Sequence, residues 1–203
     1  MIENTDPFND PIIIQNTRIL RPVEYKKLKA AIPKTDYKMM LDSLMASGMR
    51  FAEFKIFENN PLWLNSNEKK IYLPAVAVRK KKIKRKQRWI KLSDWGADQI
   101  AAFLKINKTI PERRTWYDNM RRWAIIAGIS DYGMNIKVTR KTWECWLIEY
   151  YGNIRGEDNI TDILLSQGHT RETAINHYLS QPFTKKDRDD MTYMVEGWLG
   201  TNK

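Results

Sequence analysis

Four short groupings carry residue types suited to phosphate chemistry. In SGMRFAEF, Arg50 follows a glycine that reads as a helix stop, and Glu53 stands three residues on, placed to hold the guanidinium. In KVTRK, Lys137 and Arg140 are three apart at a helix start. Both cations are expected near one spot, where the helix N-terminus already favours an anion. In SQGHTRETAINHY, His169 follows Gly168 and Tyr178 lies nine residues beyond the histidine. From Arg79 to Lys91 runs RKKKIKRKQRWIK, nine basic residues in thirteen with no acid. Arginines offer fork-shaped donors to a phosphoryl group, and a phenol is a nucleophile. Taken singly, each grouping is more often structural than catalytic. His169, His177 and the lone Cys145 make no metal-ligand cluster, and no Gly-rich phosphate loop is present. No metal and no cofactor are therefore expected.

The charge points to a polyanion. The 203 residues carry a net charge of +11, and removing the nine cations of the basic run leaves about +2. The chain reads as a nearly balanced domain with one concentrated cationic stretch, which suits nucleic acid because each neutralised phosphate releases condensed counterions. Hydrophobic residues at 42% and charged residues at 29% argue against wholesale disorder. No apolar run is long enough to span a bilayer. The opening MIENTDPFNDPIIIQ is acidic and does not read as a signal peptide. One cysteine rules out an internal disulfide framework, and the expected setting is a reducing, cytoplasmic or nucleoid-associated one.

The elements that must position these groups are mostly helices. Residues 1–20, with Pro7, Pro11 and Ile12 to Ile14, read as an arm docked by a short apolar stretch. Pro22 opens a helix that Pro33 closes, and residues 36–48 place Met39, Met40, Leu41, Leu44 and Met45 on a core stripe ending at Gly48. Residues 69–78 and 88–92 read as strands flanking the basic run, with Pro74 limiting the first. Ser93 and Asp94 cap a helix running to Leu104 or Lys105, and Pro111 opens another ending near Gly128. Further helices are expected over 139–150, 160–167, 170–179 and 185–199. The fold class is α+β, mainly α: a helical domain with a small antiparallel sheet.

Read together, the groupings occur in an order that resembles the catalytic domain of the tyrosine recombinase (phage integrase) family. SGMRFAEF matches the first arginine box, VTRKTWECWL the second, and LLSQGHTRETAINHYLS the histidine and tyrosine region. The spacing from Gly168-His169 to Tyr178 is the most specific part. The resemblance implies a catalytic domain over residues 21–182 and a C-terminal helix over 183–203 that can dock on a neighbouring protomer. It implies Tyr178 as the nucleophile that forms a 3′-phosphotyrosine. Arg50 and Arg140 would clamp the phosphate, Lys137 would stand where many relatives carry histidine, and His169 would hydrogen-bond the scissile phosphate. Glu53 would support Arg50. A lysine of the sheet hairpin would protonate the leaving 5′ oxygen. Lys84 is the favoured candidate, with Lys82 and Lys86 as alternatives because alternate strand positions share a face.

Arg79, Lys80, Lys81, Arg85, Arg88 and Lys141 are expected to grip the DNA backbone. Tyr150 and Tyr151 read as core, Tyr193 lacks the histidine spacing, and His177 points away from Tyr178 on a helix. The implied partners are double-stranded DNA and further copies of the chain in a homotetramer. Two other outcomes share these residues: a type IB topoisomerase-like nicking and closing activity, and a DNA-binding module without catalysis.

Overall fold

The computed structural model describes residues 10–77, 87–106, 110–152, 157–168 and 182–199. Among these, helices dominate and the strands form two small antiparallel sheets. The first sheet is a hairpin of β1 (Ile12–Ile14) and β2 (Thr17–Ile19), paired Ile12 to Ile19 and Ile14 to Thr17. Its two turn residues, Gln15 and Asn16, both take positive φ, the backbone that matches the twist of a two-residue hairpin. Ile12, Ile14 and Ile19 are buried, so the stretch expected to dock an arm forms a β-layer on the core. The end of β2 is fastened to a distant helix. The Leu20 amide donates to Thr142 Oγ1 at 3.0 Å, and Trp146 Nε1 donates to the Leu20 carbonyl at 2.9 Å.

Three helices follow: α1 (Pro22–Ala31), α2 (Thr35–Ser47) and α3 (Phe51–Phe57). Pro22 opens α1 as its position predicts, since a first helical turn needs no amide there. Helix α2 buries Met40, Leu41, Leu44 and Met45, the stripe read from the sequence. It packs against α4 (Asp94–Lys105) and α6 (Val138–Leu147), which makes it the central element. Helix α4 starts where Ser93 Oγ accepts the Gly96 amide at 3.1 Å. Helix α5 (Arg113–Ile126) follows Pro111, and α6 runs on into a wider π-helical turn over Ile148–Gly152. Every residue of α6 is buried.

The second sheet has the order β3-β4-β5, with β3 (Leu64–Asn65), β4 (Lys70–Leu73) and β5 (Arg88–Lys91). Strand β3 is too short to carry a periodic signal. Ile71 faces Ile90 on the buried side, and Tyr72 faces Trp89 on the outer side. Pro74 ends β4, and residues Ala75–Ala77 turn as a 3-10 helix. Helices α7 (Glu157–Gln167) and α8 (Lys185–Val195) complete the described fold. Helix α8 lies on α4 and α1 of its own chain and buries Met191, Met194 and Val195. Arg21 pairs with Asp187 at 2.6 Å, and Tyr151 Oη donates to the Val195 carbonyl at 2.6 Å. No described helix is long and apolar enough to cross a membrane.

Candidate functional site

The site begins where α2 stops. Gly48 takes φ 58°, the left-handed region that glycine enters without cost. A Cβ added there would also overlap the Gln167 side-chain amide, which would have to move, so the backbone conformation requires glycine and the close approach of Gln167 adds to the cost. Two residues on, Arg50 is the N-cap of α3. Its extended backbone lets Glu53 reach back in a capping box, accepting the Arg50 amide at 2.9 Å. The other Glu53 oxygen accepts Arg50 Nη1 at 2.7 Å. The pairing expected from the three-residue spacing is therefore present.

Glu53 holds a second arginine. Arg88, at the start of β5, donates from Nη2 to Oε2 at 2.8 Å and from Nη1 to Oε1 at 3.2 Å, a bidentate fork. Glu53 is 1% exposed. Burial alone would push its carboxyl up, but the Arg88 hydrogen bonds and charge, with Arg50 and Arg140 beyond them, hold it down at about 2. The carboxylate is thus charged at every physiological pH and orients two guanidiniums at once. Arg88 also donates from Nε to the Ser166 carbonyl at 3.2 Å, tying β5 to α7.

Arg140 enters from α6 and is 5% exposed. Its Nη1 donates to the Gly48 carbonyl at 2.7 Å, and its Nη2 donates to the Gln167 carbonyl. These carbonyls lie at the ends of α2 and α7, where a helix leaves acceptors unfilled. Burial pulls the Arg140 pKa down to about 10, with the Arg50 charge adding to the fall, and the guanidinium stays protonated at neutral pH. Arg50, Arg88 and Arg140 therefore surround Glu53 with a surplus of positive charge. The chain leaves this cluster at Gly168 (φ 68°), one residue before His169.

Of the sequence-predicted residues, the structure brings Arg50, Glu53 and Arg140 together. Lys137, the N-cap of α6, is exposed and faces an open cleft beside α5, while Arg140 three residues later turns inward. The two cations of KVTRK thus part between surface and interior. Two residues expected to grip DNA need correction. Arg88 is committed to Glu53 and Ser166, because it shares the inward face of Ile90 two positions on. Lys141 is 7% exposed, and its ammonium donates to the Ile14 carbonyl at 2.9 Å and Gln15 Oε1 at 3.1 Å. Burial and the nearby Lys137 charge lower its pKa. It fastens the hairpin to α6 and offers nothing to solvent. Arg79, Lys80, Lys81, Lys82, Lys84, Arg85, Lys86, His169 and Tyr178 lie outside the described residues.

Sequence reasoning missed the internal role of Arg88, which the alternation Arg88, Ile90, Leu92 signals. It also missed Gln167, whose buried amide lies against Gly48, and the trio Arg113, Arg114 and Tyr117 on α5. Nothing in the spacing of Gln167 marks it. Chemically, the arginine cluster can bind and orient a dianionic or monoanionic phosphoryl group: Arg50 is a third exposed, and one of its guanidinium nitrogens is engaged by Glu53. Scans against family models, curated proteins and solved structures find no match to this chain.

Proposed function

We propose that this chain cleaves and rejoins duplex DNA through a tyrosine, the chemistry of the recombinase family it resembles. The observation that carries the reading is the meeting of remote stretches around one buried carboxylate. Residues 48–53, Arg88, Arg140 and 166–168 converge on Glu53, and the next residue of the chain is His169. In this reading Tyr178 gives its phenolic proton to solvent water and its oxygen attacks the phosphorus. The bond from phosphorus to the 5′ oxygen breaks, a 3′-phosphotyrosine bond forms, and the released oxygen takes a proton from a hairpin lysine, Lys84. Free tyrosine has a pKa near ~10, so the phenolate needs the surrounding positive charge to form at neutral pH. Arg50 and Arg140 offset charge gathering on the non-bridging oxygens, with His169 donating to the same group. Rejoining runs the steps in reverse, so the cycle conserves the phosphodiester energy.

The decisive experiment uses a duplex carrying a nick that lets the cleaved strand diffuse away. The wild-type chain is expected to form a denaturant-resistant protein–DNA adduct, and Tyr178→Phe is expected to form none while still binding. An unchanged adduct yield in the variant removes Tyr178 from the mechanism. One observation favours a second reading, a duplex-binding module without cleavage: both terminal nitrogens of the buried Arg140 are already bound to carbonyls. Absence of any wild-type adduct supports that module. Recombination further requires two sites paired in a homotetramer, whereas relaxation of supercoils without pairing would place the activity with nicking–closing enzymes.

A further inference from the structure

A second cationic feature lies outside the arginine cluster. The β1–β2 turn, the first turns of α5 and the segment entering α6 enclose an open cleft of about 710 Å³. Its walls carry Arg113, Arg114, Tyr117 and Lys137, with Asn135 and Gln15 among the rest, and no acidic residue among the described ones lines it. Arg113 and Lys137 make no ion pair among the described residues. Arg114 meets Asp118 at 2.9 Å, but the pair is exposed and so weakly bound that the guanidinium remains available. Two further acids stand nearby and have other cationic partners: Glu112 meets Lys55 at 2.5 Å, and Asp131 meets Arg121. The Tyr117 ring lies under two guanidiniums, Arg114 at 5.3 Å and Arg121 at 5.8 Å, which stiffens this wall. The opposite wall is braced as well. Asn135 Nδ2 donates to the Asn16 carbonyl at 3.0 Å and to Thr17 Oγ1 at 3.1 Å, and Gln15 Oε1 accepts Lys141.

A set of exposed cations on two braced walls, with only the weak Arg114–Asp118 pair among them, costs the fold repulsion and contributes little internal pairing. Such an arrangement gains only when an anion arrives. The cations are spread along an open cleft and do not converge on one point, which fits a chain of phosphates better than a single small anion. The cleft and the proposed site are neighbours along the chain: Lys137, the N-cap of α6, stands in the cleft, and Arg140, three residues on, turns inward. We infer that this cleft is a second DNA-backbone footing, engaging phosphates beyond the one held at Arg50 and Arg140 through Arg113 and Arg114. The inference rests on the DNA reading above and extends it to a surface that no grouping in the sequence marked.

The test compares the full chain with Arg113→Gln/Arg114→Gln and with a control, Lys27→Gln/Lys105→Gln, that removes the same charge elsewhere. All four residues are exposed, so the folds should persist. Binding to the nicked duplex is measured over a salt series, and adduct yield is read at saturating protein. The cleft variant is expected to lose about tenfold in affinity and to flatten the log–log salt slope by roughly 2, close to 0.9 for each phosphate released. The control should change the slope less, and adduct yield at saturation should match wild type. Equal slopes for cleft variant and wild type overturn the inference even if the wild type cleaves. A wild type that binds with the expected slope change but forms no adduct keeps the footing and removes the strand-transfer reading. Competition by a nucleoside triphosphate, lost in the cleft variant while the duplex slope stays unchanged, assigns the cleft to small anions and overturns it too.

Discussion

The protein keeps its cations in two opposite ways. Around Glu53, Arg88 and Arg140 are largely buried and Arg50 is a third exposed, and each is committed to a carboxylate or a carbonyl. Around the α5 cleft, Arg113, Arg114 and Lys137 stand at the surface with at most a weak partner. The contrast has a physical origin. A guanidinium taken out of water must be re-solvated by the protein, so burial demands fixed partners, and fixed partners set its orientation. An exposed cation keeps its water, needs no partner, and holds no fixed direction. The first arrangement suits a group that must point at one phosphorus. The second suits a sequence-blind grip on a backbone. Removing a charge should therefore disturb folding in the first region and binding alone in the second.

The sharpest way to break this contrast is at its centre. Glu53→Gln keeps the shape but leaves Arg88 and Arg50 facing a neutral amide inside the protein. Loss of one partner from a buried ion pair typically costs about 3–5 kcal/mol. A denaturant titration should show a midpoint shift of that size. A loss under about 1 kcal/mol would mean that water reaches the cluster and that its burial does not set the arginines.

Acid offers the same test without mutation. The Glu53 carboxyl sits at about 2 in the fold against an ordinary 4.5. Its folded value is depressed, so its contribution is fully present above about pH 4.5 and is lost as pH falls towards 2. Over that window the unfolded chain binds the extra proton first, and stability should fall by roughly 3 kcal/mol from this group. Wild type should show this acid-side slope and Glu53→Gln should lack its share. Matching slopes in the two proteins would place the Glu53 pKa near its ordinary value.

How much of this was legible before the structure follows from which forces act locally. The helix stop at Gly48, the Arg50–Glu53 spacing, the Ser93 cap and the methionine stripe of α2 are consequences of neighbours in sequence, and they appear where the pattern puts them. The mainly helical class with a small antiparallel sheet also follows from periodicity, whereas the β1–β2 sheet does not. What the pattern could not carry was choice of partner. Lys137, Arg140 and Lys141 are near neighbours of one type, yet one is exposed, one caps two helix ends, and one clips a hairpin. Those fates are set by what α6 packs against, and α6 is buried on all sides. The hairpin itself was read as an arm because Ile12 to Ile14 is an unbroken apolar run. Its turn residues, Gln15 and Asn16, lack the glycine that usually announces such a turn.

Lys141 sharpens the comparison from the intermediate side, as a buried cation whose hydrogen bonds go to neutral acceptors while the Glu144 carboxylate acts on it through charge. Lys141→Met fills its volume but leaves the Ile14 carbonyl and the Gln15 amide without their donor. The expected cost is about 1–3 kcal/mol, the penalty for stranding the buried Ile14 carbonyl while the exposed Gln15 turns to water, and smaller than at Glu53 because the stranded group is neutral. Hydrogen exchange should rise first at the hairpin amides, since the clip is lost there. Uniform exchange across α2 and α6 would show that the hairpin has no local opening of its own.

The smallest effect is expected at the surface. Arg114 and Asp118 face each other four residues apart on α5, largely in water. A double-mutant cycle on stability should return about 0.3–0.5 kcal/mol for the pair, and less at high salt because exposed charges are screened. Arg114→Gln alone should leave the thermal midpoint almost unmoved. The same change at Arg140 would strip donors from two buried carbonyls. A coupling above about 1 kcal/mol at Arg114 would mean that the pair is fixed as firmly as the cluster at Glu53. The cleft would then be part of the scaffold, its arginine would not be free for phosphate, and the division of the cations into oriented and available groups would collapse.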